Sequence, residues 1–128
     1  MAKKKVVVDT NVLIALFRNR KDVFDFAVEQ NIDKIYITYP TYIEFLAGAK
    51  KIDKRWSKNF LDSFSLLTAS TKSDIVGKTL CMQQQISGKG KCTDLLIASI
   101  CIANKKQLVT SNFDDFNFKG LSTIKYTP

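Results

Sequence analysis

The chain has 128 residues, 45% of them hydrophobic and 25% charged, which suits one compact domain over 1–128 with a substantial core. A net charge of +8 favours a polyanionic partner, nucleic acid first, although a basic surface can also serve solubility alone. With no histidine in the chain, Ser-His-Asp and Cys-His chemistry and histidine general acid–base catalysis are excluded, and a typical zinc site is not expected. Any catalysis must come from carboxylates or lysines. Cys81, Cys92 and Cys101 form no CxxC pair, and their odd number argues against a disulfide framework. The best apolar stretch, from Leu95 to Ala103, is about half the roughly 20 residues a bilayer requires and contains Ser99. Lys3 to Lys5 precede an apolar run broken by Asp9 and Asn11, so no signal peptide is expected. The expectation is a cytoplasmic protein with no membrane association.

Val6-Val7-Val8 reads as a buried strand. A short helix follows from Asn11 to Phe17, and another from Asp22 to Gln30 with Val23, Phe26 and Ala27 on one face. Ile35-Tyr36-Ile37 is a second strand. Pro40 opens a helix reaching about Lys50. Asp53 begins another, with Trp56, Phe60 and Phe64 at i, i+4 and i+8, and Ser65 to Thr68 form a short strand. Thr71 is expected to cap a long helix through Ile86, with Asp74 completing a capping box. Gly88 to Lys91 reads as a loop. Thr93 or Asp94 then caps a helix to about Asn104 that is apolar on all sides and so expected to be buried. Gln107 to Thr110 is a strand, Ser111 to Phe116 a turn, and Leu121 to Lys125 the last strand. Strands alternating with helices predict an α/β fold whose mainly parallel sheet is covered on both faces.

Ligands of open parallel sheets bind outside the carboxyl ends of the strands, so the acids placed there matter most. Asp9 directly follows the valine strand. It either caps the helix after it or belongs to a site, and its desolvation needs compensation in both cases. Glu44 lies about one turn into its helix beside Thr41, Ala47 and Gly48, which leave room for a ligand; the alternative is a solvated helix face. Asp94 stands at the mouth of the apolar helix, as a cap or as a third acid. Asn112, Asp114 and Asp115 follow Leu108-Val109-Thr110 in an acidic turn. Neighbouring carboxylates repel and raise one another's pKa, and a divalent cation relieves that repulsion. Mg²⁺ favours oxygen ligands and can activate a water while holding a phosphate. Basic clusters at Lys50, Lys51, Lys54 and Arg55, and at Lys89 and Lys91, would gather the polyanion.

The segments Val6-Val7-Val8-Asp9-Thr10-Asn11-Val12-Leu13-Ile14, Ile43-Glu44-Phe45, Thr93-Asp94-Leu95-Leu96-Ile97-Ala98 and Leu108-Val109-Thr110-Ser111-Asn112-Phe113-Asp114-Asp115-Phe116 together resemble the PIN-domain family, in order and over essentially the whole chain. The opening and closing motifs are the specific ones. The size resembles the VapC-type toxins of prokaryotic toxin–antitoxin pairs. The resemblance implies a three-layer α/β/α PIN-like fold and a Mg²⁺- or Mn²⁺-dependent endoribonuclease, a hydrolase of RNA phosphodiester bonds. It further implies a homodimer inhibited by a small antitoxin protein. The acids it implies as catalytic and metal-binding are Asp9, Glu44, Asp94 and Asp115, supported by Thr10, Asn11, Thr110 and Asn112. Asn112 stands where many members have aspartate, which moves the fourth acid to Asp115, and Ser111 stands at a position often basic in the toxins.

Other classes fit less well. An aspartyl-phosphate phosphatase needs a second aspartate where Asn11 stands, and a P-loop needs glycine spacing that Gly88-Lys89-Gly90-Lys91 lacks. Within the family, the alternatives are an RNA-processing endonuclease without an antitoxin and a non-catalytic RNA-binding module; intact Asp9, Glu44 and Asp94 argue against the latter. The large apolar set Phe45, Leu46, Trp56, Phe60 and Phe64 reads either as core or as a surface for a protein partner.

Overall fold

The computed structural model describes residues 3–86 and 90–128. Strand β1 (Lys4–Val8) leads into helices α1 (Thr10–Phe17) and α2 (Lys21–Glu29), then β2 (Ile32–Thr38). Helix α3 (Tyr39–Gly48), a 3-10 turn at Lys51–Asp53 and α4 (Lys54–Leu61) lead to β3 (Ser65–Leu67). Helices α5 (Thr71–Gln83) and α6 (Lys91–Ala103) then return the chain to β4 (Gln107–Thr110). A second 3-10 turn, Phe113–Phe116, precedes β5 (Thr123–Lys125). The five strands lie in the order β3-β2-β1-β4-β5 and every pairing is parallel, so the expected mainly parallel sheet is wholly so.

The period-two alternation of β1 divides the core. Val6 and Val8 point to one face, where they meet Leu13, Leu16, Val23, Phe45 and Leu61 of α1 to α4. Val7 points to the other, against Leu80 of α5, Leu95 and Ala98 of α6, and Phe116. Two cores on opposite faces of one sheet make a three-layer α/β/α domain. Cys101 is fully buried, as expected of a small core residue, and burial raises its thiol pKa to about 12. Among the described residues no helix is long and apolar enough to cross a membrane.

Several boundaries differ from expectation for local reasons. Helix α5 is capped by Ser70 rather than Thr71: the Ser70 hydroxyl accepts from the Ser73 amide, and Ser73 completes the capping box in place of Asp74. It ends at Gln83, short of Ile86. Of the loop expected at Gly88 to Lys91, residues 88 and 89 lie outside the described residues, Lys89 among them; Gly90 is in a turn, but Lys91 is already helical. Helix α6 starts earlier than Thr93, because Gly90 takes the left-handed conformation (φ 87°) that glycine adopts without strain, and Lys91 is already helical. Asp94 is therefore inside the first turn of α6 and is not its cap. Leu96 is 52% exposed, so α6 is not apolar-buried all round. Helix α4 stops at Leu61, so Phe64 follows the helix instead of extending its stripe. Phe45 is buried and Leu46, Phe60 and Phe64 pack on the core, with Phe17, Phe45, Phe60 and Phe64 in a chain of ring contacts. Of that apolar set only Trp56, 74% exposed, is left over for a partner.

Candidate active site

Chain order places β2 on one side of β1 and β4 on the other, so the connections leave in opposite directions and open a crevice at the carboxyl ends of β1 and β4. Register aligns Val8 with Val109, which sets Asp9 beside Thr110. Asp9 does two jobs. Its Oδ1 accepts from the Val12 amide at 3.1 Å and caps α1, while its Oδ2 accepts from the Thr110 hydroxyl. The Thr110 Oγ1 in turn accepts from the Asn112 amide at 2.9 Å. A hydrogen-bonded chain thus runs from the turn after β4, through Thr110, to the carboxylate at the end of β1. Asp9 is only 4% exposed and, among the described residues, forms no ion pair with a basic side chain. Burial raises its pKa despite the opposing bonds from Thr110, Val12 and Asn11, and Glu44 adds a smaller push upward.

Thr38 ends β2 and caps α3, accepting from the Thr41 amide, and Pro40 fits the first turn where no amide is needed. Phe45 turns into the core, which leaves its neighbour Glu44 at the cleft mouth. Asp94 comes from the first turn of α6. Its pKa is also raised, by burial first and by Asp115 next, with Lys91 opposing and Glu44 and Asp9 adding to the rise. Asp9, Glu44 and Asp94 line one cleft of about 70 Å³ together with Thr10, Asn11 and Asn112, over an apolar wall of Ile97 and Phe116. The acids face the same cleft without closing on one point. Among the described residues no three His, Cys, Asp or Glu side chains are gathered closely enough to hold a metal ion as they stand.

Asp115 does not line that cleft. It lies one step outward, sharing a shallow recess with Ser111, Asn112, Phe113, Asp114 and Lys125. Lys91 holds it there: the ammonium donates to the Asp115 carbonyl at 3.1 Å and stands 3.7 Å from its carboxylate. Lys91, expected among the RNA-gathering lysines, is thus committed to an internal tether between α6 and the 3-10 turn. Of the other basic residues, Lys50 lines a groove of about 320 Å³ that runs from Thr10 and Glu44 past Arg18 and Phe17 to Ser57. Lys54 donates to the Leu46 carbonyl at 2.7 Å, and Lys51 and Arg55 are exposed nearby. Arg18 was missed by the sequence reading although Arg20 and Lys21, two and three residues on, were an available signal.

The sheet order, the switch-point crevice and the acids that line it define a parallel α/β domain with an acidic cleft at the carboxyl ends of its strands. The profile of the PIN domain family matches residues 6–119, and the chain belongs to that family. No curated protein matches it in sequence. Among solved structures it is similar to VapBC2 from Rickettsia felis bound to a DNA fragment from its promoter, at 23% identity and a TM-score of 0.76, over 95% of this chain and 98% of the other. A toxin–antitoxin complex from Klebsiella pneumoniae matches at 25% identity and a TM-score of 0.73, over 97% and 98%. DNA-bound VapBC from Salmonella typhimurium matches at 18% identity and a TM-score of 0.76, over 97% and 99%. At the lower of these identities the likeness is one of fold.

Proposed function

We propose that the chain is a divalent-metal-dependent endoribonuclease and the toxin of a type II toxin–antitoxin pair. The carrying observation is Asp9: a carboxylate buried at the switch point, held by Thr110, and facing the same cleft as Glu44 and Asp94. A hard oxygen-rich donor set of this kind fits Mg²⁺ or Mn²⁺. Mutual repulsion keeps such carboxylates apart, and a divalent ion supplies the charge that draws them together. Asp9, Glu44 and Asp94 would hold it, with Asp115 at the outer edge. Once bound, the ion would lower the pKa of a water and polarise a phosphoryl oxygen. Thr110 keeps Asp9 oriented and Asn112 can orient a water. The reaction would take place in the cytoplasm.

The toxin assignment draws support from the PIN family membership and from the toxin–antitoxin complexes among the similar structures. The groove from Glu44 to Phe17 and Ser57 offers an antitoxin an apolar floor beside the acids. For a homodimer, the larger groove of about 1070 Å³ between α5, α6 and the start of α3 is the fitting surface. It exposes Met82 and Leu96, and Asp74 and Lys78 lie one turn apart on it, so two copies related by a twofold axis could pair those charges reciprocally. A Met82→Glu variant should then sediment as a monomer; an unchanged dimer would move the interface elsewhere. The activity is tested with purified protein and RNA: cleavage should stop in EDTA, return with Mg²⁺ or Mn²⁺, and be lost in Asp9→Asn. Cleavage that survives EDTA would overturn the reading.

A further inference from the structure

The pole opposite the acids carries its own pattern. Parallel pairing sets Lys5 of β1 level with Lys34 of β2. Val6 pairs with Gln107, so Lys106, just before β4, stands level with Lys5 on the other side. Three adjacent strands thus present a row of lysines on one face of the sheet, two residues before Val7, Tyr36 and Leu108 of the α5–α6 core. Like charges side by side on neighbouring strands are unfavourable. None of the three forms an ion pair among the described residues. Lys34 and Lys106, from strands separated by β1, both lie over the Tyr36 ring, 5.0 and 5.1 Å from its centroid. The shared ring holds two ammonium groups no more than about 10 Å apart, which reduces the rotamer entropy a ligand would otherwise have to overcome. Lys5 and Lys34 are exposed and Lys106 half-buried, so their donors reach solvent.

We propose that Lys5, level with Lys34 across the sheet, and Lys34 and Lys106, both seated on Tyr36, form a second RNA-backbone contact at the amino end of the sheet, remote from the cleavage cleft. Strand rise separates this row from Asp9 by roughly 13 Å along β1. It would engage a distal stretch of a long RNA whose scissile bond lies in the acidic cleft. The inference rests on the ribonuclease reading and names a further element of substrate selection, a preference for length over sequence.

The test is RNA binding in EDTA, where no metal-dependent cleavage interferes, by fluorescence polarisation over a salt series. The probes are single-stranded RNAs of about 30 and about 6 nucleotides. The variant Lys5→Gln/Lys34→Gln/Lys106→Gln should lower the slope of log K against log[salt] for the long RNA by about 2, at roughly 0.7 per lost phosphate contact. Its affinity for the long RNA should fall at least about tenfold at low salt, while cleavage of the short RNA with Mn²⁺ stays at the wild-type rate. An unchanged slope in a folded triple variant would overturn the proposal. So would an equal loss on both RNA lengths, which would mean that the lysines serve the cleft. Should the triple variant fail to fold, Lys5→Gln and Lys34→Gln alone are each expected to lower the slope by about 0.7. Binding of the row to phosphatidylserine vesicles with no length-dependent effect on RNA would also count against it. Wild-type protein that binds neither RNA would also overturn the proposal, whereas wild-type protein that cleaves neither RNA with Mn²⁺ would overturn the ribonuclease reading itself, so the two failures are distinguishable.

Discussion

Replacing Thr110 with valine removes one hydroxyl from a fully buried site while keeping its shape. The hydroxyl donates to the Asp9 carboxylate and accepts from the Asn112 amide. A hydrogen bond to a charged group is worth about 1.5–3 kcal/mol, and a second bond lost at Asn112 adds about 1. Thr110→Val should therefore cost about 2–4 kcal/mol of stability, a fall in Tm on the order of 10 °C for a domain of this size. The same bond is the largest influence holding the Asp9 pKa down against burial, so its loss should raise that pKa further. Metal binding needs the ionised carboxylate, and the acid limb of the Mn²⁺ affinity profile should move to higher pH. Calorimetric titration of Mn²⁺ between pH 5 and 8 and thermal melts without metal would read the two effects. A variant with wild-type Tm and an unshifted acid limb would show that the chain from Asn112 to Asp9 is incidental to the site.

Asp9→Asn should stabilise the metal-free protein at neutral pH. A raised folded-state pKa means that the native state holds the proton more tightly than the unfolded chain, so this contribution is present at low pH and lost as pH rises through the folded pKa. The excess Tm of the variant should shrink as pH falls toward about 4; a variant that melts lower than wild type at every pH would contradict the cause given for the shift. Asp115→Asn should lower Mn²⁺-dependent cleavage less than Asp94→Asn, with Asn112→Ala also impaired and Asp114→Asn near wild type, because of these four Asp94 and Asn112 line the cleft and Asp115 is tethered to α6. An Asp114 variant as inactive as Asp94→Asn would reverse that placement. Lys91→Met should tighten Mn²⁺ binding about fivefold, because a cation beside Asp94 and Asp115 opposes a second one; weaker binding would mean that ordering of the turn outweighs charge.

The strands were legible because Val6-Val7-Val8, Ile35-Tyr36-Ile37 and Leu108-Val109-Thr110 are β-branched or aromatic runs with faces that both need covering. Asp9, Glu44 and Asp94 were legible as acids after or beside such elements, and the cleft brings them together. The start of α6 was not, because Thr93-Asp94 matches a cap in sequence while Gly90 supplies the entry by a backbone conformation that composition does not announce. The Phe64 stripe misled for a related reason: helical spacing continues past Leu61, but Asp62-Ser63 ends the helix and Phe64 reaches the same ring cluster from the turn. Lys91 reads in sequence as one more basic residue; its tether to Asp115 depends on a contact 24 positions away.

A parallel sheet puts the starts of all its strands at one end and their ends at the other, so the charge on each strand boundary adds across strands instead of cancelling. Here Lys5 and Lys34 lie in the first halves of β1 and β2 and Lys106 just before β4, whereas Asp9 follows β1 and the acidic turn follows β4. The cleft that is to receive a phosphate therefore repels it until a cation is present, because Asp9, Glu44 and Asp94 line it together. Attraction for RNA must come from elsewhere on a chain of net charge +8, and Lys91, in the same helical turn as Asp94, is already tied to Asp115. Binding and cutting are thereby divided between surfaces: metal should govern turnover much more than affinity, and lysines outside the cleft should govern affinity much more than turnover.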